Sequence, residues 1–128
     1  MITEISEGVR ISIETTYQEN HSDPDNLYYL FTYEITIENQ NPFSVKLLSR
    51  KWEIFDSLGT KRIVEGDGVV GQQPELAPGA FHTYTSSCDL VSDYGTMVGS
   101  YIFKRLDIGT YLDVRVPEFE LWLPYRKN

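Results

Sequence analysis

Cysteine is nearly absent from this chain. Cys88 is the only one in 128 residues, so no disulfide can close within the sequence, which fits a reducing compartment. Histidine is almost as scarce, and His21 and His82 alone leave little for a zinc site. Basic residues are outnumbered, 11 Lys and Arg against 19 Asp and Glu. The resulting formal charge of −8 repels phosphate backbones and anionic membranes, so nucleic acid is not an expected ligand. Long apolar runs are missing too. The longest, Leu27-Tyr28-Tyr29-Leu30-Phe31, falls far short of the ~20 residues a helix needs to cross a bilayer, so no membrane insertion is expected. The stretch Met1 to Gly8 carries Glu4 and Glu7 and lacks the basic start and apolar centre of a signal peptide, which makes a cytoplasmic location the expectation. Nowhere do apolar residues recur at the helical period of about 3.6.

What is present points to strands. Nine Tyr and six Phe are many for this length, and aromatic side chains favour a pleated surface over a helix. Val9, Ile11 and Ile13 alternate with Arg10, Ser12 and Glu14, the period of two that sets one face on a core. A polar loop, Glu19 to Asn26, is broken by Pro24. The clearest strand follows, with Leu27, Tyr29, Phe31, Tyr33, Ile35 and Ile37 on one face. Asn39-Gln40-Asn41-Pro42 ends it with turn residues. A third strand is expected over 44–56, with Leu48, Arg50, Trp52 and Ile54 on one side, and Lys61 to Glu65 pairs back after the turn Ser57-Leu58-Gly59-Thr60. Further strands are expected over 80–86, 97–106 and 111–116, and Pro117 interrupts before Phe119, Leu121 and Leu123. About eight short strands with no helical period predict an all-β protein. The specific expectation is an immunoglobulin-like or fibronectin type III-like β-sandwich of two antiparallel sheets, forming one domain over residues 1–128.

The run Gly66-Asp67-Gly68-Val69-Val70-Gly71-Gln72-Gln73-Pro74 spells the G-x-G-x-x-G pattern of dinucleotide sites, but such a site needs a helix to follow the glycines. Pro74 and Pro78-Gly79 rule that helix out. Gly66, Gly68 and Gly71 remain candidates for a nest of N–H groups that could hold an anion, against the plainer reading of a tight connection needing positive φ. Asp67 would compete with an anion there, although it could instead help to hold a divalent cation. Arg50 is a candidate partner for the same loop, against a structural pairing of its guanidinium.

Other side chains carry less. His21, Asp23 and Asp25 share one loop but lack the glycine and distal Glu of a calcium loop, so a solvated acidic loop is expected rather than a metal site. His82 sits on a strand as a lone histidine. Cys88 lacks a recognisable base or oxyanion hole and reads as a buried thiol. No catalytic set and no cofactor site can be assembled.

Several segments taken together resemble the ApaG family of small bacterial β-sandwiches: Tyr33 to Asn39, Leu47-Leu48-Ser49-Arg50-Lys51-Trp52, Gly66 to Pro74, Pro78-Gly79, Tyr84 to Cys88, Gly95 to Tyr101 and Val116 to Phe119. The resemblance implies a fibronectin type III-like sandwich. For function it implies a link to cobalt resistance and magnesium efflux, and a protein-binding role like that of the ApaG domain in eukaryotic F-box and polymerase-interacting proteins. Ser87 and Asp89 depart from the Gly and Pro of many relatives, which predicts a different bend there, and Lys51 departs from a frequent His. The expected function is a non-catalytic module that binds a protein partner through a sheet face or edge. The alternative is a sensor for a phosphate-containing molecule or divalent cation at Gly66 to Gly71. A homodimer through an edge strand is compatible with either.

Overall fold

The computed structural model describes residues 1–124. Among them the chain forms nine strands: β1 (Ile2–Ser6), β2 (Val9–Tyr17), β3 (Tyr29–Asn39), β4 (Val45–Asp56), β5 (Lys61–Asp67), β6 (Glu75–Leu76), β7 (Phe81–Leu90), β8 (Tyr94–Arg105) and β9 (Tyr111–Trp122). One antiparallel sheet has the order β1-β2-β3-β7 and the other β5-β4-β8-β9, with β6 also paired to β4. This is the expected two-sheet sandwich. The polar segment after β2 contains two short 3-10 turns, Glu19–His21 and Pro24–Asn26.

Except at Leu27, which precedes β3 with a left-handed backbone and is exposed, the alternation read from the sequence faces inward from both sheets. Val9, Ile11, Ile13, Phe31, Tyr33, Ile35 and Ile37 from the first sheet meet Trp52, Ile54, Met97, Tyr101, Phe103 and Phe119 from the second. Tyr33, Trp52 and Phe119 close the centre of the core, with ring centroids 5.7 to 5.8 Å apart in tilted or edge-on pairs. Such aromatic pairs add about 0.5–1.5 kcal/mol each to the area they bury.

β1, β4, β7 and β9 each differ from expectation for a physical reason. β1 was not anticipated: its pattern is almost wholly exposed, so it shows no buried alternation and is held chiefly by its ladder to β2. In β4 a bulge between Leu47 and Ser49 changes the phase. The inward residues before it are Val45 and Leu47, and Leu48 is only half-buried instead of sharing the face of Trp52. β7 continues past Ser86 to Leu90, with Ser87 and Asp89 in register against Thr32 and Leu30, so no bend occurs there. β9 runs unbroken through Pro117, because Pro117 falls at a bulge in an edge strand, where its missing N–H costs no ladder bond.

Two buried polar side chains fasten the ends of the sandwich. Asn39 is fully buried; its amide donates to the carbonyls of Phe43 (2.8 Å) and Leu76 (2.9 Å), while its oxygen accepts from the Asn41 N–H (3.0 Å). At the opposite end Asp56 accepts from the Val91 N–H (2.7 Å) and the Ser92 hydroxyl (2.5 Å), tying β4 to the β7–β8 turn.

Candidate functional site

Arg50 and Gly66 are register partners on β4 and β5. A Cβ on Gly66 would lie 3.0 Å from the Arg50 guanidinium, so the glycine leaves the space in which that group lies. Arg50 Nη1 donates to the carbonyls of Asp67 and Gly68, both at 3.0 Å. The structural pairing of Arg50 is thus to the glycine run itself: the side chain holds the start of the connection against the sheet.

Beyond Gly68 the chain makes a tight reversal. The Val69 and Gln72 backbones exchange hydrogen bonds (2.8 and 3.0 Å) across Val70 and Gly71, whose φ values of 47° and 75° are those of a type I′ turn. The Gly68 N–H donates to Leu48 O at 2.8 Å, and Gln73 Nε2 donates to the same carbonyl at 2.9 Å. The N–H groups of Gly68, Val69 and Gln72 are therefore engaged within the protein. Val69 is buried at the core edge, and the exposed tip is Val70-Gly71.

A β-branched residue in the left-handed region is a steric outlier, costing roughly 1–2 kcal/mol. Asn tolerates that region, and Asn-Gly is the favoured type I′ pair. Val70→Asn is expected to raise stability by about 1 kcal/mol, read as a higher urea midpoint at unchanged slope.

The candidates come together only in part. Arg50, Gly66 and Asp67 line a surface concavity of about 600 Å³ with Ser49, Lys51, Glu65, Ser100, Ile102 and Asp113. It is an open hollow on the outer face of the second sheet, to which Ser49, Lys51, Glu65, Ser100 and Ile102 belong by phase, whereas Arg50 and Gly66 share the inward phase of Trp52 and Ile54. Gly68 and Gly71 lie outside its lining. Lys51 Nζ stands 3.9 Å from Glu65 Oε1, an exposed pair of little energetic weight.

Inside the sandwich, beside Arg50, lies a cluster of phenols. The Tyr84 and Tyr101 hydroxyls are 2.5 Å apart. Burial pushes both well above the usual phenol range, and the Arg50 charge offsets only part of that. Burial also pushes the Cys88 thiol up to about 11, although the Arg62 guanidinium near its sulfur pulls the other way. A thiol so placed is not a thiolate at neutral pH.

Between the ordinary thiol value of 9.0 and about 11 the folded state holds a proton that the unfolded state has lost. Stability is thus unaffected by Cys88 below pH 9 and falls as pH rises toward 11, by about 3 kcal/mol in all. Cys88→Ala is expected to flatten that alkaline decline, measured by denaturation at pH 8 to 11.

His21 and Asp23 lie on the loop before β3, where Asp23 Oδ2 accepts from Asn26 Nδ2 at 2.7 Å. Among the described residues no three His, Cys, Asp or Glu side chains converge so as to hold a metal ion. No helix among them is long and apolar enough to cross a membrane.

A feature that residue types alone did not single out is a row across the outer face of the first sheet. Ile5, Arg10, Glu38 and Phe81 are successive register partners on β1, β2, β3 and β7. Phe81 is 68 % exposed and Ile5 56 % exposed, while Arg10 and Glu38 pair between them at 3.9 Å. Thr36 and Thr83 share a hydrogen bond of 3.0 Å in the adjoining row. The signal available in the sequence was the phase of β7, which turns Phe81 away from His82 and Tyr84.

An antiparallel sandwich with an Arg-anchored glycine connection defines a recognisable class. The ApaG domain profile matches residues 19–105. Over its full length the chain is 38% identical to Protein ApaG of Brucella suis biovar 1, covering 98% of that protein, and it is 41% identical over 124 residues to Protein ApaG of Mesorhizobium japonicum, covering 97% of this chain and 95% of that one. A Bordetella pertussis protein whose crystal structure was solved under the name ApaA superposes with a TM-score of 0.87 at 38% identity, over 91% of this chain and 94% of that one. The C-terminal domain of wzt is similar in fold alone, with a TM-score of 0.55 at 11% identity over 94% of this chain and 76% of that one. The chain belongs to the ApaG family.

Proposed function

We propose that residues 1–128 act as one non-catalytic ApaG domain that recognises a protein partner in the cytoplasm. The observation that carries this reading is the row Ile5, Arg10, Glu38 and Phe81. Two exposed apolar side chains flank a charged pair on one sheet face, the arrangement of anchors and polar contacts that protein interfaces use. The formal charge of −8 steers partners whose facing surface is basic. On this reading the connection to cobalt and magnesium runs through the partner, whose activity the domain alters by binding. The test compares immobilised wild type with Phe81→Ser. A partner retained by the first and lost by the second, at equal melting temperature, is the expected result. Retention that ignores Phe81 would remove this face from consideration.

A second reading, a sensor for a phosphate-containing molecule or divalent cation at Gly66 to Gly71, is favoured by the 600 Å³ hollow that Gly66 and Asp67 line at the start of that run. Ligand binding to the native state raises the unfolding temperature by mass action. Pyrophosphate, a nucleotide or a divalent ion at millimolar concentration should then shift the melt, and an unchanged melt with all of them discards the sensor.

A further inference from the structure

Among the described residues β5 ends the second sheet and pairs on one side only, with β4. At its two ends the Asp56 N–H donates to Thr60 O and the Gly68 N–H donates to Leu48 O, so residues 60 and 68 direct backbone groups toward β4. In an antiparallel ladder every second residue does the same. Arg62, Val64 and Gly66 therefore bond to β4, while Lys61, Ile63 and Glu65 present their N–H and C=O groups outward. All three side chains are exposed and lie on the outer face of the sheet, Ile63 at 56 %. The edge is short and charged, which discourages indiscriminate pairing. Its charges are nonetheless arranged symmetrically about an apolar centre: Lys61, Ile63, Glu65.

We propose that this edge pairs with a second copy of the chain in a two-fold antiparallel ladder centred on Ile63, joining the two second sheets into one continuous sheet. Ile63 then exchanges its N–H and C=O with Ile63 of the partner subunit, and Lys61 does the same with Glu65 of the partner subunit. Side chains follow the backbone, since directly opposed residues on one face are close neighbours. Isoleucine faces isoleucine, and each ammonium faces a carboxylate. That carboxylate already lies near Lys51, so charges alternate across the new seam.

Other registers fit less well. Centring on Val64 sets Ile63 against Glu65 and calls on the Asp67 carbonyl, which Arg50 already occupies. Centring on Glu65 opposes like charges. The contact is isologous and closes on itself, so it stops at a dimer.

Sedimentation equilibrium over a concentration series tests this, with a thermal melt of each variant to confirm folding. Wild type is expected as a dimer. Ile63→Pro removes an N–H that β4 does not use, and should weaken dimerisation about 100-fold or more through the lost bonds. Lys61→Glu and Glu65→Lys should each weaken it about 10-fold, and the two combined should restore it, since only the contact between subunits is re-formed by the exchange. The internal pair of Lys61 with Glu53, at 3.4 Å, is not re-formed by the exchange. A monomeric wild type at millimolar concentration, a dimer indifferent to Ile63→Pro in its folded form, or a double exchange that fails to recover would each overturn the proposal. Phe81→Ser should leave the dimer unchanged, so its failure is separable from that of the partner-binding face.

Discussion

Replacing Asn39 by Ala is expected to lower the stability of the fold by about 3–5 kcal/mol, close to the whole margin of a marginal domain. The amide is fully buried and every polar group it carries is used: two donations, to Phe43 O and Leu76 O, and one acceptance, from the Asn41 N–H. Truncation leaves those partners without the side chain that satisfied them, and each buried unsatisfied group costs roughly 1–3 kcal/mol. Because Asn39 joins the end of β3 to the entry of β4 and to β6, the loss is felt by both sheets. Asn39→Asp separates hydrogen bonding from volume. It keeps size and the acceptor, but at neutral pH it turns a carboxylate oxygen toward two carbonyls. It should be at least as damaging as Ala at pH 7 and should recover relative to wild type as pH falls and the carboxyl gains a proton to donate. Urea midpoints at pH 7 and pH 5 decide this, and an Asn39→Asp variant as stable as wild type at pH 7 would show that the donations carry no weight.

Asn39 also shows what the residue pattern could and could not reveal. It reads as a turn residue, and it does precede one, but its burial depends on β6 and on the approach to β4, contacts distant in sequence. Strand periodicity was legible wherever one face met the core, as in β2, β3 and β8. It failed where that condition failed. β1 buries almost nothing, so its side chains carry no period; the bulge at Leu47–Ser49 breaks the phase of β4 inside one strand. The inward position of Arg50 was legible from Trp52 and Ile54, whereas its two carbonyl partners were not, since they belong to a connection with no repeating pattern. The Ile5 to Phe81 row requires the register of four strands at once, and register is set by pairing rather than composition.

The glycine run gives the second large effect. Substituting Ala at Gly68 is expected to cost about 3 kcal/mol or more, well beyond the same change at Gly66 or Gly71. At Gly68 two penalties coincide: φ is +63°, and a Cβ would meet the Gln72 carbonyl oxygen at 2.2 Å. That oxygen accepts the Val69 N–H, so it cannot withdraw without opening the turn. At Gly71 φ is +75° but no described residue lies within 4 Å of a Cβ, leaving only the left-handed penalty of about 1 kcal/mol. At Gly66 φ carries no such penalty, and the obstacle is the Arg50 guanidinium at 3.0 Å, the far end of a flexible side chain. Ala there should displace Arg50 from the Asp67 and Gly68 carbonyls and cost about 1–2 kcal/mol. The expected order, Gly68 first, then Gly66, then Gly71, belongs to a connection built for backbone packing. An anion-holding loop would instead show its largest loss in ligand binding, with stability little changed. Measuring urea midpoints for the three variants, beside melts with and without pyrophosphate, separates these two uses of the same glycines. Equal and small stability losses at all three positions would remove the packing explanation for the G-x-G-x-x-G run.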